Sequence, residues 1–354
     1  MNLIMDKIRN RIISDRATIF QAMEKMDAGK VKMLFVFDGN DEFEGILTIG
    51  DIQRSIIRNN DLRTVVRDIL DKDKVYCSPE DSDSKIKEEM KRLRAECMPI
   101  VDSEGNLVDV VLWEDVFGDF RIDNREKIDL PVVIMAGGMG ARLKPLTNVI
   151  PKPLVPIGEK TIIEEIMDQF ESIGCKRFFL SVNYKYEILK FYLDNLEHKY
   201  DITFIKEDKP LGTIGSVSMM KGKITTPFFV STCDSLIDQD YRDAYDYHKS
   251  NGNDITVISA VKRQVVPYGV IQTGEDGIMT GLDEKPETTY MLNTGIYILQ
   301  PGMVDEIPED RFYHITDLIQ KVRANGGKVG CFPVSENAWK DMGDWDEYLK
   351  MIGR

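Results

Sequence analysis

Short apolar runs alternate with amphipathic stretches through most of the chain, and their order changes near residue 125. Beyond that point Val132-Val133-Ile134-Met135 breaks off abruptly into Ala136-Gly137-Gly138-Met139-Gly140. A short apolar run bounded by glycines predicts a buried strand of a parallel sheet that ends in a loop. Thr161 to Phe170 has apolar residues at helical spacing and predicts an amphipathic helix stopping near Gly174. Arg177 to Val182 predicts the next buried strand, a helix follows around Ile188 to Leu196, and Ile202 to Ile205 is strand again. This alternation predicts an α/β layered domain over residues 126–354 with a largely parallel sheet. Ligands of such sheets bind beyond the carboxyl ends of the strands.

Residues 1–125 have a different rhythm, a repeat. Thr18 to Met26 has helical spacing. Met33 to Phe37 and Phe43 to Leu47 read as strands around the turn Asp38-Gly39-Asn40-Asp41, and Thr48-Ile49-Gly50-Asp51 opens a helix. The order then returns: a helix from Ser84 to Arg94, a strand Met98 to Val101, a turn, a strand Leu107 to Leu112, and Trp113-Glu114-Asp115 opening a helix. Asp51 and Asp115 stand where acidic residues favour a helix N-terminus. The charged segment Arg121 to Lys127 reads as a linker.

Length and charge narrow the function. At 354 residues both domains have enough chain for a core of their own. A net charge of −14 argues against nonspecific nucleic-acid binding and against anionic membranes. It leaves a nucleotide substrate open, because local cations and a metal can reverse the field inside a cleft. The five cysteines are odd in number and scattered, and neither a signal peptide nor a long apolar span is visible. A cytoplasmic protein with reduced thiols is the expectation. The three histidines are not at metal-ligand spacing, which speaks against a zinc site or a histidine-based triad.

The glycine loop suits a polyphosphate. Glycines allow a ligand to approach the backbone, so that amides point at phosphate oxygens, and Arg142 and Lys152 follow as cations. It is not a dinucleotide fingerprint, since Leu143 stands where the third glycine belongs, and no Gly-Lys-Ser/Thr marks a P-loop. Further on, Glu207 to Thr213 follows a strand, and the apolar run Phe228 to Val230 leads to Asp234, a recurrent way to place a metal ligand. Cys233 reads as a packed side chain and not a nucleophile. Pro267 to Ile271 and Leu282 to Pro286 bracket a glycine-rich hairpin, Leu292 to Tyr297 is a strand, and Trp339-Lys340-Asp341 lies near the end.

Taken whole, AGGMGARLKPLT with the following PKPLVPIG resembles the signature of the sugar-nucleotide pyrophosphorylases, the nucleoside-diphosphate-sugar nucleotidyltransferases. The later motifs come in that family's order across residues 130–350. The resemblance implies a Rossmann-like nucleotidyltransferase domain with a mixed, mostly parallel sheet. It implies that Ala136, Gly137, Gly138 and Gly140 hold the β- and γ-phosphates, that Arg142 neutralises the leaving pyrophosphate, and that Lys152 bridges toward the α-phosphate. It further implies that Glu207, Gly212 and Thr213 lie along the nucleobase and that Asp234 and Asp341 bind Mg²⁺. Asp341 is selected over Asp344 because it follows Trp-x; Asp344 then caps the last helix. Gly269, Glu284 and Lys285 are implied to face the sugar phosphate, with Asn293 and Gly295 on the sugar-binding strand. Many thymidylyl and uridylyl relatives have glutamine at the position of Glu207. A carboxylate only accepts hydrogen bonds, which suits the paired N1–H and N2–H donors of guanine and favours GTP. The other reading of Glu207 is a solvated loop charge.

Residues 10–120 similarly resemble a pair of cystathionine-β-synthase-type (CBS) domains, tandem βαββα repeats. In the G-x-x-T-x-x-D element from Gly45 to Asp51 the resemblance implies that Thr48 meets a phosphate and Asp51 the ribose of an adenine nucleotide, and that the chain forms a homo-oligomer. In the second copy Trp113 takes the threonine position. The alternative is a dimerisation module whose aspartates are helix caps.

The function implied is nucleotidyl transfer. A hexose or hexosamine 1-phosphate attacks the α-phosphorus of a nucleoside triphosphate in line and pyrophosphate leaves, feeding cell-surface glycan synthesis. The nucleophile is already an oxyanion, so positioning and charge neutralisation suffice. The alternatives are thymidylyl or uridylyl transfer to glucose 1-phosphate, and a catalytically dead nucleotide-sensing protein.

Overall fold

The computed structural model describes residues 2–93, 95–117, 127–197, 200–343 and 345–351. The expected linker, apart from Lys127, and the expected cap Asp344 lie outside the described residues. The chain divides into two compact units, Met1–Arg125 and Glu126–Arg354.

In the first unit, helix Ile19–Gly29 opens on a reciprocal cap: Thr18 accepts from the Gln21 N–H at 3.2 Å, and the Gln21 side chain accepts from the Thr18 N–H at 2.9 Å. Strands Met33–Phe37 and Phe43–Thr48 pair antiparallel, with Ile12–Ser14 as a parallel edge. The second half repeats this with helix Asp83–Leu93 and strands Cys97–Val101 and Leu107–Leu112. There Cys77 alone, bridged in parallel to Ile100, takes the edge position. Met33, Phe35 and Ile46 of the first repeat share one core with Cys97 and Val110 of the second.

The second unit is built on a seven-stranded sheet. Asp201–Lys206, Arg177–Val182, Val132–Met135 and Phe228–Thr232 are successive parallel neighbours. Glu287–Leu299 then runs antiparallel between Phe228–Thr232 and Ile255–Val265, and Val329–Ser335 closes the far edge in parallel. Val132–Met135 is central, and its side chains reach two cores, Val132 and Ile134 into one and Val133 into the other. Burial on both faces is why this run shows no polar alternation. Helix Ile162–Ser172 covers one face. Its N-terminus is capped by Thr161 and Glu164, and it buries Ile162, Ile163, Ile166, Met167 and Phe170. Phe170 stacks on Tyr241 at 4.7 Å. Each such side chain contributes about 1.5–3 kcal/mol of transfer free energy. The proline-rich stretch after the glycine loop forms only three short turns, Ala141–Leu143, Leu146–Asn148 and Lys152–Leu154, because proline and the residue before it resist helix continuation.

One buried group gives this unit a pH dependence. His248 is fully buried, with Nδ1 2.9 Å from Thr256 Oγ1 and Nε2 3.1 Å from the Gln300 amide nitrogen. Burial pulls its pKa down to about 4. The unfolded chain therefore takes up a proton near pH 6.5 that the folded one refuses, and stability is lost as pH falls from that value toward 4. Urea unfolding should show the wild type losing on the order of 2 kcal/mol more than His248→Asn between pH 7 and pH 5.

Candidate active site

The parallel strands deliver the candidate residues at their carboxyl ends. Ala136 N–H donates to Ser181 O at 2.8 Å and pins the start of the glycine loop. Gly138 has no neighbouring atom within 4 Å of a would-be Cβ, so its backbone is open to a ligand. Gly140 is different. It has φ 62°, and a Cβ there would lie 2.9 Å from the Thr147 methyl and 3.0 Å from Lys152 Cβ. Only glycine fits where the loop folds back onto the Lys152 turn.

Charges converge just beyond the Phe228–Thr232 strand. Lys152 is buried, and its Nζ donates to Asp234 Oδ2, while an Arg142 guanidinium nitrogen lies 3.9 Å from the same oxygen. A short ladder brings in Asp341: Ser235–Ile237 pairs antiparallel with Trp339–Asp341, which sets Ser235 opposite Asp341. Trp339 Nε1 donates to Ser235 Oγ at 2.8 Å, and Met342 N–H to the Asp234 carbonyl at 2.8 Å. Asp341 Oδ1 accepts from Gly343 N–H at 2.8 Å. A Cβ on Gly343 would stand 2.7 Å from Asp341 Oδ1, 2.9 Å from Asp234 Oδ2 and closer still to the Arg142 guanidinium. Three charged side chains therefore meet over a residue that has none. Burial pushes the Asp341 carboxyl above the usual carboxylate range, and the charge of Asp234 adds to this against the Gly343 N–H.

Among the described residues no group of three or more His, Cys, Asp or Glu is arranged to hold a metal. Two neighbouring carboxylates suit a hard cation that completes its coordination with water and substrate phosphates, the habit of Mg²⁺. The donor set fits such an ion.

A second group of residues surrounds a cavity of about 220 Å³, lined by Met135, Thr213, Val230, Thr232, Asn293, Gly295, Tyr297, His314, Ile315 and Thr316. Asn293 and Gly295 lie within an antiparallel strand, beside the end of its neighbour. Gly295 has φ 83°, and a Cβ there would lie 2.7 Å from Thr232 Oγ1. The Asn293 amide is held between the Gly295 N–H at 3.1 Å and the Tyr297 hydroxyl at 2.7 Å. Thr213 faces the His314 ring at 3.4 Å and accepts from Ile315 N–H at 2.9 Å. Gly212 has φ 85° and lies against Tyr313, whose carbonyl oxygen would be 2.5 Å from a Cβ. Sequence reasoning missed Met135, Thr232, Tyr297 and His314; position within or beside a named motif was the only available signal for the first three, and His314 had none.

Glu207 is no solvated loop charge, being 6% exposed. Its Oε2 accepts from Leu211 N–H at 2.9 Å and its Oε1 from the Ser181 hydroxyl, and a Cβ on Gly137 would come within 3.2 Å of Oε1. The carboxylate thus organises the Glu207 to Leu211 loop and borders the glycine loop. Gly269, Glu284 and Lys285 are exposed and not among the cavity-lining residues. Gly269 and Glu284 meet at the base of the hairpin of Val270–Thr273 and Met279–Asp283. Burial pushes the Cys233 thiol up to about 12, as befits a packed side chain.

In the first unit Thr48 and Asp51 engage each other. Thr48 N–H and its hydroxyl both donate to Asp51 Oδ2 at 2.7 Å, while Lys74 at 2.9 Å and Arg54 hold Oδ1. The pair caps helix Ile49–Ile57. Asp115 is an ion-pair partner of Lys7 at 2.8 Å.

The sequence model of the nucleotidyl transferase family matches residues 131–353, more than half of the chain. The chain belongs to that family. The CBS domain model matches residues 5–58 and 66–120, so a CBS pair precedes the nucleotidyltransferase domain. Among curated relatives, mannose-1-phosphate guanyltransferase of Schizosaccharomyces pombe is 32% identical over 229 residues, 62% of each chain. That of Yarrowia lipolytica is 36% identical over 183 residues, 49% of this chain and 50% of its own. The chain thus spans under two thirds of these relatives. The crystal structure of HddC from Yersinia pseudotuberculosis in complex with GMP-PN matches with a TM-score of 0.50 and 26% identity, over 63% of this chain and 98% of that one. Family members of this kind use a divalent metal. Among the described residues no helix is long and apolar enough to cross a membrane.

Gly343→Ala tests the convergence. The added methyl has no room among Arg142, Asp234 and Asp341, so kcat/KM for nucleotidyl transfer should fall on the order of 100-fold, the cost of a misplaced site. The far-ultraviolet circular dichroism spectrum should stay that of the wild type.

Proposed function

We propose that the protein is a sugar-1-phosphate guanylyltransferase, which joins GTP and a hexose or hexosamine 1-phosphate into a GDP-sugar and releases pyrophosphate. The observation that carries this reading is the convergence of Lys152 and Arg142 on Asp234, beside Asp341, at the edge of an open glycine loop.

Each part has work in such a reaction. The backbone amides of Gly137, Gly138 and Gly140 hold the β- and γ-phosphates, whereas the Ala136 N–H, expected to join them, is engaged by Ser181 O. Arg142, more than half exposed, neutralises charge on the departing pyrophosphate. Lys152 turns from Asp234 toward the α-phosphate, and this counter-ion role requires no proton transfer. Asp234 and Asp341 would hold Mg²⁺, which supplies positive charge at the phosphate oxygens. Asn293, Gly295 and His314 bound the space for the sugar, with Thr213 of the nucleobase loop lining the same cavity, and Glu284 and Lys285, outside that cavity at the hairpin base, would meet the sugar phosphate. The incoming phosphate is already anionic, so in-line attack on the α-phosphorus needs positioning and no base.

The preference for GTP rests on Glu207 and on the guanylyl relatives. Glu207 borders the glycine loop, and its carboxylate, an acceptor only, suits a base edge with two adjacent donors. In the CBS pair, an adenine nucleotide would compete with Lys74 and Arg54 for Asp51. A cytoplasmic homo-oligomer completes the reading.

Pyrophosphate release measured with Mg²⁺, each of GTP, UTP and dTTP, and the 1-phosphates of mannose, glucose and glucosamine tests it. GTP should exceed the other two at least about tenfold, the discrimination a hydrogen-bonding base site supports. Release with UTP or dTTP in place of GTP would remove the role given to Glu207. Silence with every pair would remove the reading itself.

A further inference from the structure

Three residues that follow the strand Arg177–Val182 touch both loops of the candidate site. Asn183 Nδ2 donates to Glu207 O at 2.7 Å, and the Tyr184 N–H donates to Gly137 O at 3.4 Å. Lys185 Nζ donates to Asn148 O at 2.6 Å and to Thr147 O at 3.3 Å, and the Tyr184 hydroxyl donates to Thr147 O at 3.4 Å. Thr147 is 1% exposed, and its own hydroxyl donates to Gly140 O at 2.9 Å. Its methyl is one of the two groups that leave no room for a side chain at Gly140. The segment therefore holds the glycine loop where it starts, at Gly137, and where it folds back, through Thr147 to Gly140.

Lys185 is at odds with its local setting. Its φ of 55° lies in the left-handed region that a residue with a β-carbon rarely adopts. It is the N-cap of helix Tyr186–Asp194, yet its side chain caps no amide, and a cation is disfavoured at that end of a helix. Its ammonium instead meets the two carbonyls of the Leu146–Asn148 turn and, at 5.3 Å, the face of the Tyr184 ring. Several local preferences broken at one residue point to a task set by its distant contacts.

We propose that Lys185 is a positioning residue for nucleotide binding: by gripping the Leu146–Asn148 turn it holds Thr147 against Gly140 and presets the loop whose amides take the phosphates. The nucleotide's place here rests on the proposed function, whereas the clamp is a property of the free protein. The loop amides contact the phosphates before and during the reaction alike. Ordering a loosened loop therefore costs binding equally in the ground and transition states, so the loss falls on KM and spares kcat.

Hydrogen exchange on the full chain without ligand tests the clamp apart from activity. The amides of Leu143, Asn148 and Val149 bond within the loop, and in Lys185→Met they should exchange at least about tenfold faster than in the wild type. Unchanged exchange overturns the proposal. In turnover, KM for GTP should rise on the order of tenfold in both Lys185→Met and Lys185→Gly, with kcat within about twofold, and Lys185→Arg should restore it. Glycine accepts the positive φ, so that variant keeps the fold while removing the ammonium. Wild-type KM in the glycine variant overturns the proposal, and so does a fall in kcat at unchanged KM, the mark of a smaller folded fraction. Thr147→Val combined with Lys185→Met should raise KM no further than the larger single effect; full additivity overturns the route through Thr147. If exchange quickens in the variant and the wild type releases no pyrophosphate with any substrate pair, the proposed function fails and the clamp stands.

Discussion

The ion pair between Lys152 and Asp234 is the constraint on which the second unit's site depends. A buried ammonium is costly unless a carboxylate meets it. Asp234 can do so only because the Phe228–Thr232 strand runs between the glycine-loop strand and Glu287–Leu299 and releases its chain at that point. The same strand end serves two purposes. Thr232 walls the cavity beside Gly295, and two residues later Asp234 enters the charge cluster. A shift of this strand would displace both.

The cavity's other wall is joined to the Glu207 to Thr213 loop through the backbone. Tyr313 N–H donates to Leu211 O at 2.9 Å, and Ile214 N–H to Tyr313 O at 3.2 Å. Gly212 permits the close approach, and Thr213 then caps the chain at Ile315. Glu207 anchors the opposite end of the loop through Leu211 N–H. The Glu207 to Thr213 loop and the cavity wall are thereby one hydrogen-bonded assembly, so a substitution in either is expected to reach the other.

Much of the fold was legible because local chemistry agreed with the final architecture. The run Val132 to Met135 lacks alternation because both faces are buried, and the helical spacing of Thr161 to Phe170 announces a helix that the structure forms. What stayed hidden depends on distant partners. Glu207 could be taken for a solvated charge because nothing near it in sequence shows that Ser181 lies across the sheet. Gly343 attracted no attention, although its missing side chain makes room for Arg142, Asp234 and Asp341 together. His314 and Tyr297 come to the cavity from a helix cap and a strand far apart in the chain. In the CBS pair, Asp51 was legible as a helix cap, whereas its ion pair with Lys74 comes from a separate segment.

The account stands most directly on Asp234. Pyrophosphate release should be followed in a single turnover with saturating GTP, sugar 1-phosphate and Mg²⁺, comparing the wild type with Asp234→Asn. Loss of the charge that the site gathers around should slow the chemical step on the order of 100-fold or more, with nucleotide binding affected far less. Near-wild-type release from the Asn variant would contradict the central role of this carboxylate and the assignment of the site.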